Sequence, residues 1–387
     1  MRGVAQGATT DLVAAQWLGN RIPYKKLLFT SHDGLTTYDF STDSVAYGDR
    51  ILGLDHREES SEFGGSAVIT LNNPDSDIPD LKGYWVEIGH GLNTGTVESP
   101  VYEYCSYPRQ WVKKQSYIWY RGYYIVILEL EDFWVRFGEI PVHEPQVWRQ
   151  SVPFFYSRRN KTTKLFDLIK IFINNETSSD STSKILWEDI SLEESDGIID
   201  VYYPDFAVNE QEGEYETLLQ VVTRLLNWTA CFIVFRPTNT ILIVYPGSST
   251  TPDITYYRDA SPQFTGFVER TELIRPNTYH VYGGADDINI EGEPDDYGVV
   301  HPEWFWDDAI AEDRVIKGTY ENETETDRYE EVLNIYTDPA IQDQTFADVL
   351  ATSSGSHRQP TDVAGRVTVR HDVRVEMYDR IAVVTNG

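Results

Sequence analysis

Apolar and polar positions along this chain alternate in short bursts, not in long helical stripes. Between Ser66 and Asn72, Ala67, Ile69 and Leu71 share one parity against Ser66, Val68 and Thr70, the two-residue period of a half-buried strand. Further strands are predicted at Lys26–Thr30, Gly53–Arg57, Tyr84–Gly89, Tyr117–Tyr120 and Tyr123–Leu130. Between them stand turn formers: Ser31-His32-Asp33-Gly34, the two-proline stretch Asn73 to Asp80, a loop from Gly91 to Pro100, and Arg121-Gly122. Short strands at this spacing with no βαβ rhythm predict an antiparallel barrel over residues 24–150, preceded by a polar arm over 1–23 anchored by Leu12, Val13, Trp17 and Leu18.

The period then changes. Pro141 to Asn160 reads as a crossing between domains, and residues 151–262 read as an α+β region. Leu165, Leu168, Ile169 and Phe172 recur at helical spacing in Thr163–Ile173. Glu214–Asn227 shows the clearest stripe, Tyr215, Leu218, Leu219, Val222, Leu225 and Leu226, and leads into a hairpin of Cys231–Phe235 and Ile241–Tyr245. Residues 263–387 return to β character as a second barrel with an acidic insert at 285–331. Strands are predicted at Thr278–Tyr282, Gly365–Arg370, Arg374–Glu376 and Arg380–Val384, and a short helix at Thr345–Ala351. The fold class is therefore mainly β with an α+β middle region, in several domains.

Charge sharpens this picture. The 387 residues carry a formal charge of −30, and 17 acids stand against 3 bases between Asp286 and Glu331. Such a chain repels nucleic-acid phosphates and lacks a basic groove for them. Solvated acids, or adaptation to salt, account for the same totals. No apolar run reaches membrane-spanning length, and no signal-like segment opens the chain. Cys105 and Cys231 read as two buried thiols, and no CxxC or HExxH spacing suggests a metal.

Catalytic patterns are equally scarce. Glu129, Glu131 and Asp132 beside Phe133 and Trp134 are the least ordinary carboxylates, yet solvated acids at a strand end explain them too. His32-Asp33, Asp55-His56 and His371-Asp372 place acid beside imidazole, but neighbours on a strand point to opposite faces. Gly64-Gly65 and Gly283-Gly284 belong to no phosphate-binding pattern. No catalytic residue, cofactor or metal is expected. Aromatics are abundant instead: nine Tyr and Trp fall between Tyr102 and Tyr124, suited to barrel cores and to wide protein contacts.

Four stretches, taken in order, resemble the tail hub proteins of tailed phages, the baseplate-hub and tail-tip family that includes contractile-tailed phages and gene-transfer agents. They are Ser66–Asn73 followed by Asp80–Gly89, Arg121–Leu130, Leu218–Tyr245, and Arg275–Gly284. The resemblance implies two tail-tube-type barrels per subunit and a homotrimer forming a pseudo-sixfold ring. That ring would join the tail tube to baseplate, fibre or tip proteins and leave an acidic channel for tape measure protein or DNA. It implies a virion protein of the tail tip or baseplate, without enzymatic activity or membrane contact. The interface or lumen residues expected on this basis are Trp85, Glu87, Tyr104, Trp119, Glu129, Glu131, Trp304, Trp306, Arg374 and Glu376. The alternatives are a receptor- or glycan-binding fibre or spike and, third, a carbohydrate-active enzyme.

Overall fold

A computed structural model describes residues 8–18, 21–58, 65–120, 122–142, 165–174, 191–194, 210–211, 214–227, 229, 231–237, 240–244, 251–269, 276–285, 315–327, 330–337, 344–358 and 365–385. The architecture is mainly antiparallel β. Helix α1 (Thr10–Ala15) precedes β1 (Pro23–Thr30), β2 (Thr37–Asp39), β3 (Ile51–Arg57), β4 (Ser66–Asn72), β5 (Trp85–Asn93), β6 (Tyr102–Ser106), β7 (Gln110–Tyr120) and β8 (Tyr123–Glu131). These strands form one eight-stranded sheet in the order β2-β1-β5-β7-β8-β4-β3, with β6 also on β5. The alternation in β4 is realised as expected: Ala67, Ile69 and Leu71 are buried and meet Phe29, Ile88, Val126 and Leu128 in one core. Asn73 ends β4 by accepting the amides of Asp77 and Ile78 on its side-chain oxygen, and Gly122 turns β7 into β8 at φ 85°.

The first expected barrel is an open sheet. Strands β2 and β3 lie at its two ends and do not pair with each other, so the sheet curls over its core without closing.

After β8 come α2 (Phe133–Glu139), α3 (Leu165–Asn174), β9 (Ser191–Glu194), β10 (Glu210–Gln211), β11 (Glu214–Tyr215), α4 (Leu218–Leu226), β12 (Phe232–Arg236) and β13 (Thr240–Val244). The helix predicted from Glu214 starts later, because Thr217 and Gln220 form a reciprocal capping box that fixes the first turn at Leu218. Glu214 and Tyr215 pair with Gln211 and Glu210 as a short ladder instead. The stripe of α4 buries Leu218, Val221, Val222, Leu225 and Leu226 against α2, α3 and the β12–β13 hairpin. Trp85 of the first sheet reaches into this same core.

The remaining elements are β14 (Ile254–Tyr257), β15 (Phe264–Glu269), β16 (Thr278–Ala285), β17 (Val315–Glu321), α5 (Glu323–Thr326), β18 (Leu333–Thr337), α6 (Gln344–Arg358), β19 (Gly365–Val369) and β20 (Ile381–Val384). They make three small sheets, β14–β20, β15–β19 and β17-β16-β18. Among the described residues no sheet closes into the second barrel. Within the expected acidic insert, β17 pairs with β16, and α5 follows it.

Residues Arg374–Glu376, expected as a strand, lie in consecutive turns. The Val375 and Asp379 amides bond back to Asp372 and Glu376, and Tyr378 sits at φ 67°. Val373, Val375 and Met377 alternate as a strand would, but Asp372 and Asp379 bind the nearby backbone amides of Arg374 and Glu376 with their side chains and turn the chain instead.

Helix α6 runs past the predicted Ala351, with Ala347, Leu350 and Ala351 packed on Val281 and Ile316 and Gly355 close to Tyr320. The close approach depends on glycine: a Cβ on Gly318 would lie 2.0 Å from the Ala347 carbonyl oxygen. Gly318→Val is therefore expected to push α6 off the sheet at a cost of about 1–3 kcal/mol. Hydrogen exchange in Gln344–Arg358 should rise; unchanged protection there would contradict this packing.

Candidate assembly surface

The β7–β8 hairpin keeps register from Trp111↔Glu131 to Tyr120↔Tyr123, with one irregularity between Val112 and Lys114. On its inner face the cross-strand pairs are Val112–Leu130, Gln115–Leu128, Tyr117–Val126 and Trp119–Tyr124. The first of these lie in the core, but the core stops short of the tip. Trp119 is 72% exposed and Tyr123 62%, with Tyr117 and Ile118 beside them also exposed. Tyr124 lies between Tyr117, stacked at 5.8 Å, and Trp119 at 5.9 Å. An aromatic strip therefore faces solvent where a core would continue.

The backbone is open at the same place. Strand β5 pairs with β7 only at Trp111 and Gln110, and the loop before β5 reaches no further than Gln115, whose side chain binds Leu81 and Pro79. Beyond it, the outer half of β7 has no strand on its second edge among the described residues.

The hairpin's own sequence is basic, but its strand charges are answered locally. From Tyr104 to Leu128 the sequence holds no acid and four bases, Arg109, Lys113, Lys114 and Arg121, within a chain of −30. The strand bases are matched: Lys114 pairs with Glu129 at 2.7 Å, and Lys113 pairs with Glu131 and Glu139.

The other expected residues are distributed as follows. Trp85 is 2% exposed and stacks on Phe133 at 5.5 Å, so its area is used inside the subunit. Glu87 and Tyr104 converge on one cation: Lys26 donates to the Glu87 carboxylate at 2.8 Å and to the Tyr104 hydroxyl at 2.7 Å. Glu129 is exposed and Glu131 half-buried. Arg374 turns inward to Asp372 at 2.6 Å, and Glu376 is buried on Arg236 at 2.8 Å. Trp304 and Trp306 lie outside the described residues. Of the ten, Trp119 and Glu129 are the exposed ones among the described residues.

A small cleft lies where the first sheet meets the β12–β13 hairpin, lined by His56, Gln110, Asp132, Trp134, Phe235 and Glu376 among others. Asp132 caps α2 through the Val135 amide and also accepts the Gly65 amide. Burial pushes its carboxyl up to about 6, against the pull of those amides. This does not make an acid–base pair. Glu129 and Glu131 are tied to lysines, whereas Asp132 turns inward as a helix cap and Glu376 is committed to Arg236.

One grouping had no signal in the sequence. The Tyr107 hydroxyl and His371 Nε2 lie 2.7 Å apart, and the rings of His56 and His90 meet Tyr107 edge-on at 4.9 and 5.1 Å. These residues come from β3, β5, the segment after β6 and the turns before β20, so only the tertiary fold assembles them. Among the described residues no set of three or more His, Cys, Asp or Glu is placed to hold a metal ion, and no helix is long and apolar enough to cross a membrane. Cys105 and Cys231 are buried in different cores.

No family model matches the chain, and no curated protein matches it. Solved structures do align with it, two tail proteins among them. A tail protein from Neisseria meningitidis MC58 aligns over 85% of this chain and 74% of its own, at 12% identity and a TM-score of 0.47. The 43 kDa tail protein of prophage MuSo2 from Shewanella oneidensis aligns over 87% and 78%, at 12% identity and a TM-score of 0.46. At this distance the likeness transfers no residue's role and carries no argument about activity.

Proposed function

We propose that this chain is a structural, non-enzymatic hub protein of a viral tail. In this reading three copies close a pseudo-sixfold ring that joins the tail tube to the baseplate or tip, and the ring's bore is acidic. The observation that carries it is the surface of the hairpin tip: exposed Trp119 and Tyr123 beside an open strand edge, where an enzyme would need a pocket with convergent groups. The four-part resemblance to hub proteins supports the specific assembly. The charge supports the bore, since acids lining a tube let phosphates slide past.

Imaging of the assembled particle tests this reading. A three-fold ring at the end of the tube, with an acid-lined opening and this chain in its density, is the expected result. A chain absent from the tube end overturns the hub; a neutral or basic bore overturns the channel. A receptor- or glycan-binding fibre is the second reading, favoured by the exposed Trp119–Tyr124 platform, and it requires saccharide binding that Trp119→Ser abolishes.

A further inference from the structure

The cleft between the first sheet and the β12–β13 hairpin holds two features for which assembly has no use. The first is Gln110, which is 2% exposed and lines the cleft, and whose Oε1 accepts no hydrogen bond among the described residues. A buried carbonyl oxygen without a donor forfeits the bonds that water gives it in the unfolded chain, so such an orphan marks the place of a missing partner. The second is Asp132, 7% exposed on the same wall. Its carboxyl accepts the backbone amides of Gly65 and Val135 and makes no ion pair among the described residues.

The rest of the wall decides what the partner is. Glu58 and Glu376 add carboxylates, Trp134 and Phe235 add ring surface, and among the described residues no lysine, arginine or hydroxyl side chain lines the cleft. Glu376 is already matched by Arg236, so Asp132 is the buried acid still without a cation among the described residues. Acceptors in excess, one of them an uncompensated carboxylate, require a group that donates in several directions and carries positive charge. Aromatic faces beside them suit such a cation. The space inside is about 40 Å³, room for about three waters or one compact head group. A metal ion does not fit this wall, because among the described residues no three of its acids and imidazole are placed as ligands.

We propose that this cleft binds a primary ammonium group, with the Gln110 carbonyl and the Asp132 carboxylate as its acceptors. The ammonium belongs to a free amine or to the tip of a lysine on a neighbouring protein. The site goes beyond the hub reading and does not rest on it.

Methylammonium is the probe, and nuclear magnetic resonance of the full-length chain is the measurement. The Gly65 and Val135 amides, both donors to Asp132, are followed as methylammonium chloride replaces potassium chloride at constant ionic strength. A ligand of two heavy atoms reaches an affinity of about 1–10 mM, so both amides should shift and saturate in that range. Gln110→Leu should bind about tenfold more weakly while melting at or above wild type, since it removes an orphan along with the acceptor. Asp132→Asn keeps a cap acceptor for Val135, loses the charge, and should also bind about tenfold more weakly. A blocked lysine peptide that competes with methylammonium assigns the group to a protein side chain; one that is shut out assigns it to a free amine.

Four results overturn the inference. One is the absence of saturable shifts up to about 100 mM, as when water alone fills the cleft. Another is potassium in place of methylammonium giving the same shifts, which would leave charge without donor recognition. The third is Gln110→Leu or Asp132→Asn binding as wild type does. The last is Gln110→Leu melting well below wild type, which would mean that the amide is already bonded inside the subunit. A particle without a ring at its tube end would remove the hub and leave this site standing.

Discussion

Phe133→Ala is expected to cost about 3–5 kcal/mol, the range for losing a fully packed aromatic ring. Phe133 is 1% exposed and sits at the junction of two layers. It stacks on Trp85 of the first sheet at 5.5 Å and on Phe235 of the β12–β13 hairpin at 4.9 Å, with Phe137 edge-on at 6.2 Å. Removing the ring leaves a cavity that these three rings cannot fill by small rotations, because each is held by its own backbone element. The loss should therefore appear in both layers. Urea unfolding followed by tryptophan fluorescence should shift to lower midpoint, and hydrogen exchange should rise in β5 and in β12 together. A loss under about 1 kcal/mol, or exchange confined to one layer, would mean that the layers are not joined through this residue.

The second large effect depends on pH and belongs to Asp132. Its folded carboxyl is raised from 3.8 to about 6 by burial. The folded chain therefore holds this proton more tightly than the unfolded chain does. Between about pH 4 and pH 6 the folded state binds more protons, so stability from this group falls as pH rises and is lowest above 6. At about 1.4 kcal/mol per unit the full swing is about 3 kcal/mol. Asp132→Asn keeps a cap acceptor for the Val135 amide and has no charge to bury. The stability of Asp132→Asn minus that of wild type should climb across this window and level off near neutrality. Urea titrations at several pH values read that difference directly, and a flat difference would remove burial of the charge as the cause.

The parts of the fold legible in the sequence are those governed by local pattern. Ala67, Ile69 and Leu71 announce β4 because one face of that strand meets the core and the other meets water. The apolar stripe of α4 is visible for the same reason, although its start waits on the Thr217–Gln220 box, a detail of side-chain reach. Closure of a barrel has no such local signature. The strands of the first sheet were predicted largely in place, yet whether β2 meets β3 depends on accumulated twist and register, which periodicity does not encode.

The candidate surface was legible in part. The crowding of Tyr and Trp between Tyr102 and Tyr124 pointed to contacts, and Trp119 is indeed exposed, but Trp85 has the same chemistry and is buried. Residue type alone cannot separate the two; only the place where the core ends does. Arg374 and Glu376 read as strand residues, and the resemblance to hub proteins implied an interface or lumen place for them. Their charges instead close on Asp372 and Arg236 inside the subunit.

The start and finish of the described chain are fastened together. Leu12 of α1 shares a core with Val373, and Gln16 binds Asp372 across 356 positions of sequence. Helix α1 also packs on Leu92 and Cys105 of the first sheet, so Asp372 and Val373 close a pocket that β5 and β6 have already half built, and loosening either side exposes the same small core.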